Sequence, residues 1–346
     1  MALFRRHRAH SGEGRSAADA GRFWSWWEGA RDRIEAAVDG GDKGAVRALI
    51  EPRLREIHPD LTWTASIGVQ AAYMLVVTGN RHPALRSVAE RWRRAGPADD
   101  ARWEYHPAAP AEPSAFSARV VVGGLEIDPG RAVALVTTDD QRCRLDVSVH
   151  HPAFGRLGAA GSNRVAEVLV TWALGEDDLD RWIGQISAAT TEPLDSVPVA
   201  MLGSVTAQLP SRWGGDRWSM LEGSFGRRRL IASVRHPLHR VDHPLLDEHL
   251  AVRLPYADTL PDGLPGPHAL AELQAFEDIL VSRLGADALL VAQQTASGER
   301  LLHLYADSAA SPVGAVREML SNYLSALATV TAEFDPGWES IEHLRA

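Results

Sequence analysis

HLAVRLPY, residues 249–256, sets Leu250, Val252 and Leu254 on one side of an extended chain and His249 and Arg253 on the other. Alternation with a period of two is the pattern of a strand with one buried face. Downstream, PHALAELQAFEDILVSRLG (267–285) places Leu270, Leu273, Phe276 and Leu280 on one helical stripe. ALLVAQQTA (288–296) and RLLHLYA (300–306) read as strands joined by SGE, a short glycine-containing loop of the kind that closes hairpins. GAVREMLSNYLSA (314–326) is a second helix and ATVTAEFD (328–335) a last strand. The order βαββαβ predicts a ferredoxin-like arrangement, in which two helices cover one sheet face and leave the other available to a partner. The expected fold class is α+β.

The same alternation sorts the polar residues. Leu302 and Leu304 oppose Leu301, His303 and Tyr305, and Val330, Ala332 and Phe334 oppose Thr329, Thr331 and Glu333. With the apolar sets turned to the helices, His249, Arg253, His303, Tyr305, Thr331 and Glu333 share the opposite face, together with Gln293 or Gln294. Arg253, His303, Tyr305 and Glu333 form the expected site for a polar ligand or a protein or peptide partner. Two other readings stand beside it. The face packs against the preceding hairpin or the N-terminal domain, or His303, Tyr305 and Glu333 serve a small-molecule hydrolase or similar enzyme.

Upstream, WSMLEGSF (218–225) and RRLIASVR (228–235) read as a hairpin, after a boundary marked by proline and paired glycine in LPSRWGGDRW (209–218). FWSWWEGARDRIEAAV (23–38) is a helix with Phe23, Trp27, Ile34 and Ala37 near one stripe; GGDKG breaks it and AVRALIEPRLREI resumes. LTWTASIG and AAYMLVVTG fit a hairpin, His82–Arg94 a helix ended by Gly96-Pro97, and RWEYHP a strand before the proline-rich PAAPAEPS. A second set follows, with strands near 118–122, 133–137 and 144–149 and a helix near 163–174 ended by LGEDDLD. The expected division is a disordered basic tail over 1–20, an N-terminal α+β domain of two sheet-helix halves over 21–212, and the ferredoxin-like domain over 213–346.

A net charge of -9 disfavours nucleic acid as a partner. The single cysteine, Cys143, forbids an internal disulfide and a multi-cysteine zinc site, and fits a reducing compartment. No apolar stretch follows the basic N-terminus, and no run reaches the ~18 residues of a membrane span. A cytoplasmic location without membrane attachment is expected.

RHPLHRVDHPLLDEHL (235–250) carries four histidines and three acidic residues, the densest set of metal ligands in the chain. His239 and His243 have helical spacing, but Pro237 and Pro244 bracket them, and a residue before proline is pushed out of the α region. A polar loop is expected there, with no metal. Glu277 and Asp278 are adjacent on a helix, so their side chains diverge and read as a solvated face. No G-x-S-x-G elbow, Walker loop or dinucleotide fingerprint occurs. GRRR (226–229) reads as a hairpin turn, and Trp24, Trp27, Trp63 and Trp103 read as core. No catalytic residue and no cofactor are expected.

LPDGLP, FEDIL, TASGERLLHLYADS and FDPGWESI, in that order over roughly residues 216 to 344, resemble the domain-of-unknown-function 695 family, a bacterial group with no assigned biochemistry. Asp335-Pro336-Gly337-Trp338 also resembles the Asp-Pro-x-Trp signature of the regulator of ribonuclease E activity B family, whose members are non-enzymatic inhibitors that bind a ribonuclease. Where that family has an aromatic three residues later, this chain has Ile341. Phe23-Trp24, Gly96-Pro97, Trp103 and Leu174-Gly175-Glu176 resemble a segment of similar bacterial proteins. The resemblance implies a regulatory role and supplies no catalytic residues. In physical terms Asp335 and Pro336 start a turn that folds Trp338 back against the last strand, with a binding hot spot as the alternative. The expected function is a non-enzymatic binding or regulatory module.

Overall fold

The computed structural model describes residues 13–225, 228–323 and 327–344. The first unit runs α1 (Glu13–Asp39), α2 (Lys43–Ile57), β1 (Thr62–Ile67), β2 (Tyr73–Thr78), α3 (Pro83–Arg94) and β3 (Trp103–His106). Helix α1 takes in residues 13–20 of the expected tail; residues 1–12 lie outside the described part. Asp42 accepts the Ala45 amide at 2.9 Å, so GGDKG both stops one helix and caps the next. Strands β1 and β2 are antiparallel, and β3 joins β2 in parallel, leaving β1 at an edge.

Aromatic rings fill the core of this unit. Phe23, Trp24 and Trp27 pack with Trp92, Trp103 and Tyr105, and Trp24 stacks on Trp92 at 4.8 Å. Trp24 donates to the Trp92 carbonyl at 2.7 Å, Trp27 to the Tyr105 hydroxyl at 2.9 Å and Trp103 to Glu35 at 2.6 Å, while the buried Trp92 indole N–H has no hydrogen-bond partner among the described residues. A Cβ at Gly96 would lie 2.4 Å from the Trp24 indole, so packing demands the glycine.

The second unit contains β4 (Val120–Val122), β5 (Leu125–Ile127), β6 (Val133–Asp139), β7 (Arg144–His150), α4 (Phe154–Trp182), β8 (Ile183–Ala189), β9 (Val197–Pro198), α5 (Leu202–Thr206) and α6 (Leu209–Trp213). Its sheet is ordered β8-β7-β6-β9, with β7 and β8 parallel. A hairpin, a helix and a strand parallel to the second hairpin strand is also the connectivity of the first unit. The helical run of α4 is broken at Gly175, whose φ of 72° lets the backbone pass where a Cβ would meet the Ala109 carbonyl at 2.7 Å. The next residue, Glu176, then accepts from the Thr78 hydroxyl and the Ala109 amide, tying the two units together.

The third unit is β10 (Arg217–Phe225), β11 (Arg228–His236), β12 (Leu246–Pro255), α7 (Pro267–Leu284), β13 (Ala288–Ala296), β14 (Glu299–Asp307), α8 (Val313–Ser321) and β15 (Thr329–Phe334). The sheet is antiparallel throughout and ordered β10-β11-β13-β14-β12-β15. Residues 226–227, at the tip of the expected GRRR turn, lie outside the described part; Arg228 and Arg229 belong to β11. Leu250, Val252, Leu254, Leu302 and Leu304 pack against Leu273, Phe276, Leu280 and Leu284 of α7. The buried stripe of α7 begins at Ala269, while Leu270 is exposed. Glu277 departs from the expected solvated face: it pairs with Arg300 at 2.8 Å, both largely buried, and burial raises its pKa.

Arg91, at the end of α3, locks the first unit to the third. Its guanidinium meets Asp247 at 2.8 Å and Asp307 at 2.7 Å. The architecture is mixed α+β, and no helix among the described residues is long and apolar enough to cross a membrane.

Candidate functional site

Strand register gathers the polar residues of the C-terminal sheet as their alternation requires. His249 lies between Tyr305 and Glu333, Ala251 between His303 and Thr331, and Arg253 between Leu301 and Thr329. The face is nevertheless largely covered. After β15 the chain turns at Asp335, and residues 335–344 lie across the sheet with Trp338, Ile341 and Leu344 buried against Tyr305, Val291 and Ala232. Trp338 stacks on Tyr305 at 4.4 Å and donates to the Leu246 carbonyl at 2.7 Å. Its landing place is therefore β14 and β12, in place of the last strand. Its φ of 59° is unusual for a bulky residue and is held by that packing.

Beneath this cover Tyr305 is 0% and His303 4% exposed. The Tyr305 hydroxyl donates to Asp335 at 2.6 Å, and the Glu339 and Ser340 amides donate to the same carboxylate, each at 2.9 Å. Burial raises the pKa of Asp335, but these three donors outweigh it and hold the group below the ordinary carboxylate value. His249 Nε2 and His303 Nδ1 are 3.0 Å apart. Burial, and then the neighbouring His249, push the pKa of His303 down to about 3; burial also lowers that of His249. Both rings are neutral at physiological pH. Arg253 and Glu333 remain at the exposed margin, and Arg253 pairs with Glu299 at 2.7 Å. The four expected residues thus share a face without sharing an accessible site.

The histidine loop also disperses. A short 3-10 turn, Arg240–Asp242, separates His239 from His243. The His239 ring lies 5.1 Å from Trp182, whereas His243 stacks 6.1 Å from Trp338. Neither ring nitrogen of His239 has a hydrogen-bond partner among the described residues, and burial pushes its pKa down to about 4. Among the described residues no group of three or more His, Cys, Asp or Glu side chains could hold a metal ion.

An open site lies in the first unit, where the sequence reading placed none. A groove of about 880 Å³ runs between β1 and α2, within the ~300–1,000 Å³ of typical ligand sites. Among the described residues the backbone there is unsatisfied in a defined way. Gly68 donates to the Ala72 carbonyl and Tyr73 to the Arg102 carbonyl, so Thr62, Thr64 and Ser66 pair with β2. Alternation in an antiparallel ladder then turns the amides of Trp63, Ala65 and Ile67 toward the free edge. Val46, Leu54, Trp63 and Ala65 provide an apolar floor. Trp63 packs against the core at its rim, is half-buried, and lines the groove with its remaining surface. Ile67 and Val69, 66% and 64% exposed, extend apolar surface at the strand's end.

The outer wall is a ridge of α2 residues at intervals of four: Lys43, Arg47, Glu51 and Arg55. Glu51 accepts from Arg47 at 2.8 Å and from Arg55 at 2.5 Å, aligning both guanidinium groups along the rim. This spacing was visible in the sequence as a charged helical stripe. Its position beside a free strand edge was not.

Residues 216–344 match the family of unknown function DUF695. The matched segment begins one residue before β10 and ends with the segment that covers the sheet. The motifs that carry the likeness meet as packing elements: the Gly298 amide of the β13–β14 turn donates to the Gly263 carbonyl of LPDGLP at 3.0 Å, and Tyr256 donates to the same carbonyl at 2.9 Å. No curated protein and no solved structure gives a significant match to the chain.

Proposed function

We propose that the protein is a non-enzymatic binding module that holds an extended polypeptide segment in the groove between β1 and α2. One observation carries this reading: a strand edge with outward amides at Trp63, Ala65 and Ile67 borders a groove with an apolar floor. An added strand satisfies such amides with main-chain hydrogen bonds, whatever its side chains, and the floor and rim select among sequences. The third unit is read as a ferredoxin-like βαββαβ domain, β12-α7-β13-β14-α8-β15, widened by the β10–β11 hairpin. In this reading it supports the binding unit through Arg91. Its Asp-Pro-x-Trp sequence does not locate a partner site, because Asp335 and Trp338 are engaged in covering their own sheet. The burial of His303 and Tyr305 weighs against the hydrolase alternative, which needs both within reach of substrate.

The test is selection from a random peptide display library on the intact protein, repeated with Ile67→Pro. Proline removes an outward amide without touching the β1–β2 ladder. Enrichment of peptides that bind the parent and lose affinity for the variant is the expected result. Enriched peptides that bind both equally would place the site elsewhere.

A further inference from the structure

The groove's charge and dimensions point to the chemistry of its occupant. We infer that it takes an acidic segment, added as a strand beside β1, with carboxylates at alternate positions facing α2. This rests on the strand-addition reading above and specifies the ligand for it.

Length comes first. Strand β1 has six residues, about 20 Å at the ~3.3 Å rise of a strand. The ridge from Lys43 to Arg55 covers about 18 Å of helix at ~1.5 Å per residue. Wall and edge therefore match in length, enough for a segment of about six residues. Spacing follows. Side chains on one side of an extended segment recur every ~6.6 Å, and residues four apart on a helix recur every ~6 Å. Alternate side chains of the guest thus fall in step with Lys43 and Arg47, and then with Arg55 beyond Glu51.

Charge decides which side chains these are. The groove is lined by three cations, Lys43, Arg47 and Arg55, and two carboxylates, of which Glu51 is already engaged by two of the cations and Asp60 lies off the α2 ridge, beyond the end of the helix. Lys43, the only lysine in the chain, has no ion-pair partner among the described residues. A cationic rim on a protein of net charge -9 is a local reversal of sign, which attracts an acidic guest and repels a basic one. Aspartate or glutamate can lay its methylene carbons over Trp63 and Ala65, the half-buried part of the floor, while its carboxylate reaches the rim. The same rim disfavours a second copy of this chain at the edge, since edge-to-edge pairing of two β1 strands would bring two cationic ridges together.

Three labelled peptides of equal length test the inference by fluorescence anisotropy with the full chain: alternating Glu-Thr, Gln-Thr and Lys-Thr. The Glu peptide should bind at least about tenfold more tightly than the Gln peptide, with the Lys peptide weakest. Its affinity should fall as salt rises from about 50 to about 500 mM. Arg47→Gln with Arg55→Gln should remove that preference at an unchanged melting temperature, and Ile67→Pro should weaken all three peptides alike. Equal binding of the three would overturn the acidic specificity and leave strand addition standing. Binding of none would sink both. A parent chain that is dimeric by light scattering, and monomeric as Ile67→Pro, would assign the edge to a second copy and overturn the inference.

Discussion

The first and third units each build a sheet with unspent hydrogen-bonding capacity, and they dispose of it in opposite ways. At β1 the capacity is main-chain, lies on an edge and stays open beside an apolar groove. On the C-terminal sheet it is side-chain, lies on a face, and is closed over by residues 335–344. The richer collection of functional groups is therefore the less available one. His249, His303 and Tyr305, brought together by register, become a buried cluster once Asp335 and Trp338 close over them, whereas an edge with ordinary residues stays accessible.

If that contrast is right, variants on the covered face should cost stability and variants at the groove should not. The largest effect is expected from Trp338→Ala, which empties a fully buried aromatic site. Chemical denaturation should show a loss of about 3–5 kcal/mol. Next is acid. His303 and His249 have folded pKa values below their ordinary value near 6.5, so the unfolded chain takes up protons first as pH falls. The melting temperature should be level above about pH 6.5 and drop from there toward pH 3. Asp335, also lowered, adds to the loss below about pH 4. His303→Gln should flatten the upper part of this profile; an unchanged profile would show that the pair does not govern it.

Tyr305→Phe should be milder, about 1–3 kcal/mol, because Asp335 loses one donor and keeps two amides. Smallest of all, Arg47→Gln with Arg55→Gln should change stability by less than about 1 kcal/mol, since both side chains are largely exposed. A destabilisation comparable to that of Trp338→Ala would erase the distinction between the two regions.

The elements of the third unit are legible in the sequence because one face of each is buried, which imposes period two on β12, β14 and β15 and a helical stripe on α7. Strand β8 is not legible: IGQISAA lacks alternation and follows α4 with no intervening turn residue. The residues quoted from the first half, Trp24, Gly96, Trp103 and Gly175, are sites of close approach, and their contacts lie far away in the chain. The sites divide in the same manner. Alternation puts His303 and Tyr305 on one face, but only the strand order and the turn at Asp335 decide that Trp338 covers them. The groove depends on β1 being at an edge, a property of the whole sheet that no local pattern carries.

The family match starts at residue 216, yet the chain cannot be cut there without changing what it displays. Arg91 crosses that line to reach Asp247, which is 1% exposed, and Arg181 crosses it to Asp242. The Trp182 ring lies against His239 across the same line. Excising the matched segment would strip a buried carboxylate of its guanidinium and uncover a histidine that the intact protein keeps from water. A fragment used as bait would then advertise a severed joint, and whatever it captured would report on the cut surface.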